Sequence, residues 1–257
     1  MQTHLCQNCG NEYTEHYCNR CGQKTIHRIK LSHIGHEVVH AVTHADRGIF
    51  YLFLKLFVRP GTVAREFILE GKRRRYYNPV QYLLIVASIA TFIVVATHMM
   101  DYLMQANPLR PSGAISERQA RFLKNASDFT SRYYNIVLLF QLPFFSLGSF
   151  LVYRKYKLLY AEHLTLHIFI TAQVTILTTI LMASILSINP GMFTALGSIV
   201  GILYTMMAYM QFFRELSFKA ALKAVFAYIV GFVFYLIFLS VIVGITLAVL
   251  LILKKIR

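Results

Sequence analysis

Two regimes of hydrophobic patterning divide this chain, and the boundary between them falls near residue 79. Beyond it, mostly apolar runs occupy 80–104, 134–153, 162–186, 192–211 and 224–253, each long enough to cross a hydrocarbon core of ~30 Å. Five transmembrane helices are expected. Before the boundary, the 31–45 segment places Ile34, Val38, Ala41, Val42 and Ala45 on one side of a helix. His33, His36, His40 and His44, with Glu37 beside them, line the other side, so this segment reads as an amphipathic helix. The apolar segment 49–58 is too short to span a bilayer and is expected to be re-entrant, interfacial or packed against the bundle. Arg59, Pro60 and Gly61 turn the chain into a short helix over 62–70, closed by Gly71. The fold class is an all-α membrane protein: about five transmembrane helices, preceded by amphipathic and interfacial helices and a small N-terminal head.

Composition agrees, since 56% hydrophobic and 14% charged residues over a 257-residue chain are too apolar for a soluble domain of that size. The net charge of +15 raises nucleic acid as a partner. However, 12 of the 26 Lys and Arg precede residue 80, and most others lie between apolar runs, where topology signals belong. Lys72, Arg73, Arg74 and Arg75, followed by Tyr76 and Tyr77, mark a membrane boundary, and anionic lipid is the expected partner there. With the head inside, the 105–133 loop is outside, Arg154, Lys155 and Lys157 return inside, a tight outer turn falls at 187–191, and Arg214, Lys219 and Lys223 are inside. That orientation makes 18 of 26 basic residues cytoplasmic. It leaves Lys254, Lys255 and Arg257 outside unless the last run re-enters. The first long apolar run begins near Val80, behind a head too long for a signal-peptide n-region, so the head and its cysteines are expected in a reducing cytoplasm.

Every cysteine in the chain belongs to one arrangement, Cys6-x2-Cys9-x8-Cys18-x2-Cys21. Each pair fits on a tight turn, and Gly10 and Gly22 let the backbone fold around the sulfurs. Two such knuckles make a structural zinc site with four thiolate ligands, against the competing possibility of a disulfide pair. Three regions follow: a zinc ribbon over 1–30, interfacial helices and basic junction over 31–79, and a transmembrane bundle over 80–257. Nucleic-acid binding by the ribbon is disfavoured, because Glu12 and Glu15 dilute its basic residues and Tyr13 and Tyr17 are its only aromatics.

Three further groups carry candidate chemistry. His36-Glu37-Val38-Val39-His40 spells H-E-x-x-H, the spacing that puts two imidazoles on one metal with a carboxylate poised over its water. Neither His44 nor Asp46 stands at the usual spacing for a third ligand, so a polar helix face is the default. Glu162, His163 and His167 open the third membrane run. They offer either a helix start with a carboxylate at the positive end of the dipole, or a second metal or proton site. Glu37 and Glu162 are the catalytic candidates. His98 and Asp101, one turn apart near the outer end of the first run, are placed either to pair with each other or to reach the headgroups. Helix packing is expected at the Gly197/Gly201 pair, with Gly231 and Gly244 thinning the last helix and Pro143 kinking the second.

The stretches YCNRCGQK, HEVVHAVTHADRG, RPGTVAREFILEGKRRRYYNP and YAEHLTLHIF together resemble the uncharacterised bacterial membrane proteins grouped as domain of unknown function 3667, over nearly the whole chain. The RPG to YNP stretch is the most specific. The resemblance implies a zinc ribbon on a multi-pass inner-membrane bundle and brings no activity or catalytic residue. Two functions follow. One is a non-enzymatic component whose ribbon docks a cytoplasmic protein and whose junction holds anionic lipid, with a second copy of the chain as another candidate partner. The other is a membrane-embedded metalloenzyme, a hydrolase using 36–40, or a metal- or proton-dependent transporter.

Overall fold

The computed structural model of this protein describes residues 3–25, 48–105, 116–185 and 190–256. The expected histidine helix, with His33, His36, Glu37, His40 and His44, lies outside them, as does most of the 187–191 turn. The head holds one antiparallel pair, β1 (His4–Leu5) and β2 (Glu12–Tyr13), with His4 opposite Tyr13. Nine helices follow among the described residues: α1 (Ile49–Val58), α2 (Pro60–Ile68), α3 (Pro79–Ala96), α4 (Met99–Gln105), α5 (Glu117–Arg132), α6 (Tyr134–Val152), α7 (Tyr160–Ile185), α8 (Pro190–Phe213) and α9 (Phe218–Ile256). Five of them, α3, α6, α7, α8 and α9, are long and apolar enough to cross a membrane. The most buried of these is α7, which packs against α3, α6 and α8, while α9 lies along α6 and α8 and buries least.

α1 takes the packed placement. It buries Leu52 and Leu56 while Phe50, Leu54, Phe57 and Val58 stay exposed, and the Leu56 carbonyl accepts the Tyr204 hydroxyl of α8 at 2.8 Å. α2 begins at Pro60, where a missing N–H costs nothing, so it starts and ends two residues earlier than the sequence suggests. Gly71 is in the left-handed region at φ 68°, and the chain turns back there through Lys72 N–H to the Glu66 carbonyl at 2.9 Å. α3 opens on Asn78-Pro79: the Asn78 side chain accepts the N–H groups of Val80 and Gln81, and Pro79 sits in the first turn.

α2 seats on the end of α8 with almost no clearance. A Cβ on Gly61 would lie 2.0 Å from the Ala208 carbonyl oxygen and 2.5 Å from the Phe212 nitrogen. The Gly61 N–H donates to Gln211 Oε1 at 3.1 Å, and Arg65 Nη1 donates to the Phe212 carbonyl at 2.8 Å. That carbonyl is one of the last-turn groups a helix leaves without an internal partner.

Three expectations need correction. The 80–104 run is two helices, because the chain breaks at Thr97 and His98: His98 takes φ 50°, and the Thr97 hydroxyl donates to the Ile93 carbonyl. The 105–133 segment is not simply a loop, since it contains α5, started by a capping box between Ser116 and Gln119. Ser127 Oγ on α5 donates to Asp101 Oδ1 at 2.6 Å, while His98 stands 3.9 Å from the same carboxylate. Finally, the close glycine crossing found here is not at Gly201, where a Cβ would make ordinary contact with Val174 at 3.5 Å. It is at Gly148 of α6 and Gly231 of α9, where a Cβ on Gly148 would stand 2.4 Å from the Gly231 nitrogen. Gly148→Val is therefore expected to lower the thermal midpoint of the detergent-purified protein, by about 1–3 kcal/mol of overpacking or more. An unchanged midpoint would refute the crossing.

Candidate functional site

The cysteine head is two copies of one turn. In the first, Cys6 N–H donates to the Asn11 carbonyl at 2.9 Å and Gly10 N–H to the Cys6 carbonyl at 2.8 Å. In the second, Cys18 N–H donates to Gln23 and Gly22 N–H to Cys18, both at 2.8 Å. Gly10 and Gly22 both have positive φ, 73° and 68°, which L side chains rarely adopt. The four cysteines are free, and no disulfide joins them. Cys6 and Cys21 Sγ stand 3.5 Å apart, Cys9 and Cys18 Sγ 3.7 Å apart, and all four sulfurs fall within 4.8 Å of one another. They could together hold a metal ion. Burial works against the Cys18 thiolate, but backbone donation from Cys21 and Arg20 outweighs it and draws the pKa down to about 6. Cys21 is lowered too, against burial, by the backbone of Gln23 and the side chain of Asn8.

This head is seated on the basic junction. The Arg74 N–H donates to Gln23 Oε1 at 3.2 Å, Gln23 is buried, and Gly22 faces the Arg74 guanidinium. The four junction cations are not equivalent. Lys72 pairs with Glu70 at 2.9 Å and reaches Glu66 at 4.0 Å; Arg75 pairs with Glu66 at 3.4 Å and donates to the Tyr51 hydroxyl at 3.2 Å. Arg73 lies over the Phe67 ring at 5.9 Å. Arg74 and Arg75 are the exposed pair. Glu70 also takes Arg214 from the end of α8 at 3.1 Å; its hydrogen bond from Lys72 leads the interactions that hold its carboxyl below the usual range. Beyond α6 and α8, Lys155 pairs with Glu215 at 2.9 Å, Tyr156 also bonds Glu215, and Lys223 lies 4.3 Å from the Tyr153 ring centroid. Lys155, Arg214, Lys223 and the junction thus gather at one end of the bundle, as the charge pattern along the chain requires.

Glu162, His163 and His167 are all buried. The Leu159 N–H donates to Glu162 Oε2 at 2.7 Å, which makes Glu162 a helix-start carboxylate on α7. The two histidines turn to separate partners. His163 Nδ1 bonds Ser149 Oγ of α6 at 2.9 Å, and His167 Nε2 bonds the Tyr209 hydroxyl of α8 at 2.5 Å. Ser149 and Tyr209 carry no spacing signal that could have singled them out; they are found only because α6 and α8 flank α7. Among the described residues the four cysteines are the one group of three or more His, Cys, Asp or Glu placed to share a metal.

A bundle with five membrane-length apolar helices and a four-cysteine head seated on a cationic turn defines a multi-pass membrane protein with a metal-competent module. Residues 46–91 match the family model described as protein of unknown function (DUF3667). The match takes in α1, α2, the basic turn and most of α3. The cysteine head and the Glu162 region lie outside it. No curated protein and no solved structure matches the chain.

Proposed function

We propose that this protein is a non-enzymatic component of a bacterial inner membrane, with its head in the cytoplasm. In this reading a zinc-bearing ribbon serves as a docking or assembly module, held against a basic junction that binds anionic lipid. The observation that carries it is the seat of Gln23 on the Arg74 backbone, which ties the cysteine turns to the start of the first membrane helix. Tetrahedral zinc with bonds of about 2.3 Å separates its sulfurs by about 3.8 Å, near the 3.5 and 3.7 Å found here. Cys6, Cys9, Cys18 and Cys21 would fill the shell and leave no open position, so the ion is structural. It supplies the order that a head with only Cys6, Tyr13 and Cys18 at its centre cannot draw from apolar burial. Exposed Leu5 and Tyr17 offer the ribbon's partner an apolar contact, and the exposed Arg74 side chain remains open to phosphate headgroups.

Metal content per chain tests this reading, measured on detergent-purified wild type, Cys6→Ser with Cys18→Ser, and His36→Ala with His40→Ala. A single zinc, lost only with the cysteines, is the expected result. A second metal that leaves with the histidines would replace this reading with a metalloenzyme or a metal-dependent transporter.

A further inference from the structure

α5 keeps its largest apolar side chains off the bundle. Phe122 is 72% exposed and Phe129 62%, whereas Ser127 is buried and Leu123, Ala126 and Thr130 are half-buried. The helix is thus held to its neighbours, chiefly α4, by mostly small groups and by the Ser127 to Asp101 bond. Phe122 and Phe129 stand two turns apart on one face. Tyr133 follows one turn later on the same face, its ring centroid 4.7 Å from that of Phe129.

Beside these rings the helix is cationic. α5 carries Arg118, Arg121, Lys124 and Arg132 against Glu117 and Asp128. Arg121 and Arg132 fall on the strip of surface next to the rings, and the two carboxylates lie farther round the helix. Arg121 meets Glu117 at 3.6 Å, but both side chains are more than three-quarters exposed, so water screens that pair. Arg132 is exposed as well.

The position of α5 in the chain puts this face at a membrane boundary. α3 leaves the junction at Asn78 and ends at Ala96, and α4 and α5 follow, so α5 lies at the opposite end of the bundle. Only Tyr133 separates it from α6, a helix of membrane length on which Ile136 and Phe140 are exposed. From Phe129 through Tyr133 to Ile136 and Phe140, the exposed apolar residues recur at steps of three and four, running from α5 into the outer surface of α6.

We propose that α5 is a second lipid-binding element, lying in the bilayer surface at the end opposite the junction. Phe122, Phe129 and Tyr133 enter the acyl boundary, and Arg121 and Arg132 meet the phosphates of anionic lipid. This goes beyond the docking function and uses none of its residues. Amphipathic helices bind bilayers through this division of labour, with apolar rings reaching below the headgroups and cations held at them. Exposed rings alone would suit a protein partner equally. The guanidinium groups beside them and the continuity with α6 favour lipid.

The chain contains no tryptophan, so an introduced one reports its own surroundings. Phe122→Trp is compared with Phe92→Trp, at an exposed site within α3, and Lys124→Trp, on the polar side of α5. Each full-length variant is placed in vesicles of phosphatidylethanolamine and phosphatidylglycerol, with or without brominated acyl chains, and iodide is supplied on both sides of the membrane. Emission from Phe122→Trp is expected to be quenched by bromine about twofold or more beyond Lys124→Trp, and to be shielded from iodide as in Phe92→Trp. Iodide quenching at the Lys124→Trp level would overturn the proposal. So would shielding from both quenchers, since a second copy of the chain would then cover the rings. For the cationic flank, energy transfer from Phe122→Trp to dansyl-labelled phosphatidylglycerol is expected to exceed transfer to dansyl-labelled phosphatidylcholine by about twofold, and to fall to parity with Arg121→Gln and Arg132→Gln. Parity before those two substitutions, or an unchanged ratio after them, would overturn the assignment to anionic lipid.

Discussion

Gly61→Ala is expected to unseat α2 from α8 and to be among the most destabilising single-methyl changes available in this chain. The added Cβ would meet the Ala208 carbonyl at 2.0 Å, the Phe212 nitrogen at 2.5 Å and the Gln211 Cβ at 2.6 Å. Two of these are backbone atoms of a helix, which cannot turn aside as a side chain would. Overpacking a tight site costs about 1–3 kcal/mol, and lifting α2 would also forfeit the Gly61 to Gln211 bond, about 1 kcal/mol more. The loss then spreads, because Arg65, Glu70 and Arg214 hold the same two elements together. Thermal unfolding of the purified protein checks this, with Gly201→Ala as the comparison, since its Cβ would meet only Val174 at 3.5 Å. Equal midpoints for the two variants would rule out the tight seat.

Cys18→Ser is expected to unfold the head and leave the bundle intact. Structural zinc contributes on the order of 10–16 kcal/mol to small domains of this kind, and a serine hydroxyl does not replace a thiolate ligand. Cys18 is also a pivot of its own turn: its carbonyl accepts Gly22 N–H and its N–H donates to Gln23, the residue that reaches Arg74. Limited proteolysis should therefore cut the variant within residues 3–25 at rates well above wild type, while the thermal transition of the membrane helices stays in place. Protection of the head equal to wild type would show that the metal does not hold it together. A bundle that melts with the head would show instead that the Gln23 and Arg74 seat supports the first membrane helix.

The matched family segment gains a physical meaning from these contacts. Its arginine-proline-glycine turn is where α2 meets the last turn of α8, its Glu66 and Glu70 pair the junction cations, and its Asn78-Pro79 begins α3. These contacts make the segment a brace at one end of the bundle.

Much of this architecture was determined by the sequence alone. Span number follows from the length and hydropathy of local runs, and the cysteine turns from x2 spacing and a following glycine. These are short-range rules, satisfied within a few residues. α5 was also legible, in the Ser116 and Gln119 capping box, but its polar surface reads as loop when hydropathy is the guide. What the tertiary structure alone decided is which residues meet across the bundle. Gly148, unremarked in the sequence, forms the close crossing because α6 and α9 pack there, whereas Gly201 has only ordinary contact. Lys72 and Arg75 are neutralised by Glu66 and Glu70, so four like charges in sequence become two paired and two differently placed cations. His163 and His167 share a helix face, yet their partners come from α6 and α8, 14 and 42 residues away in the chain. Hydrogen bonds in a membrane interior are set by which helices are neighbours, and helix neighbours are chosen by packing summed over whole faces, which no local spacing records.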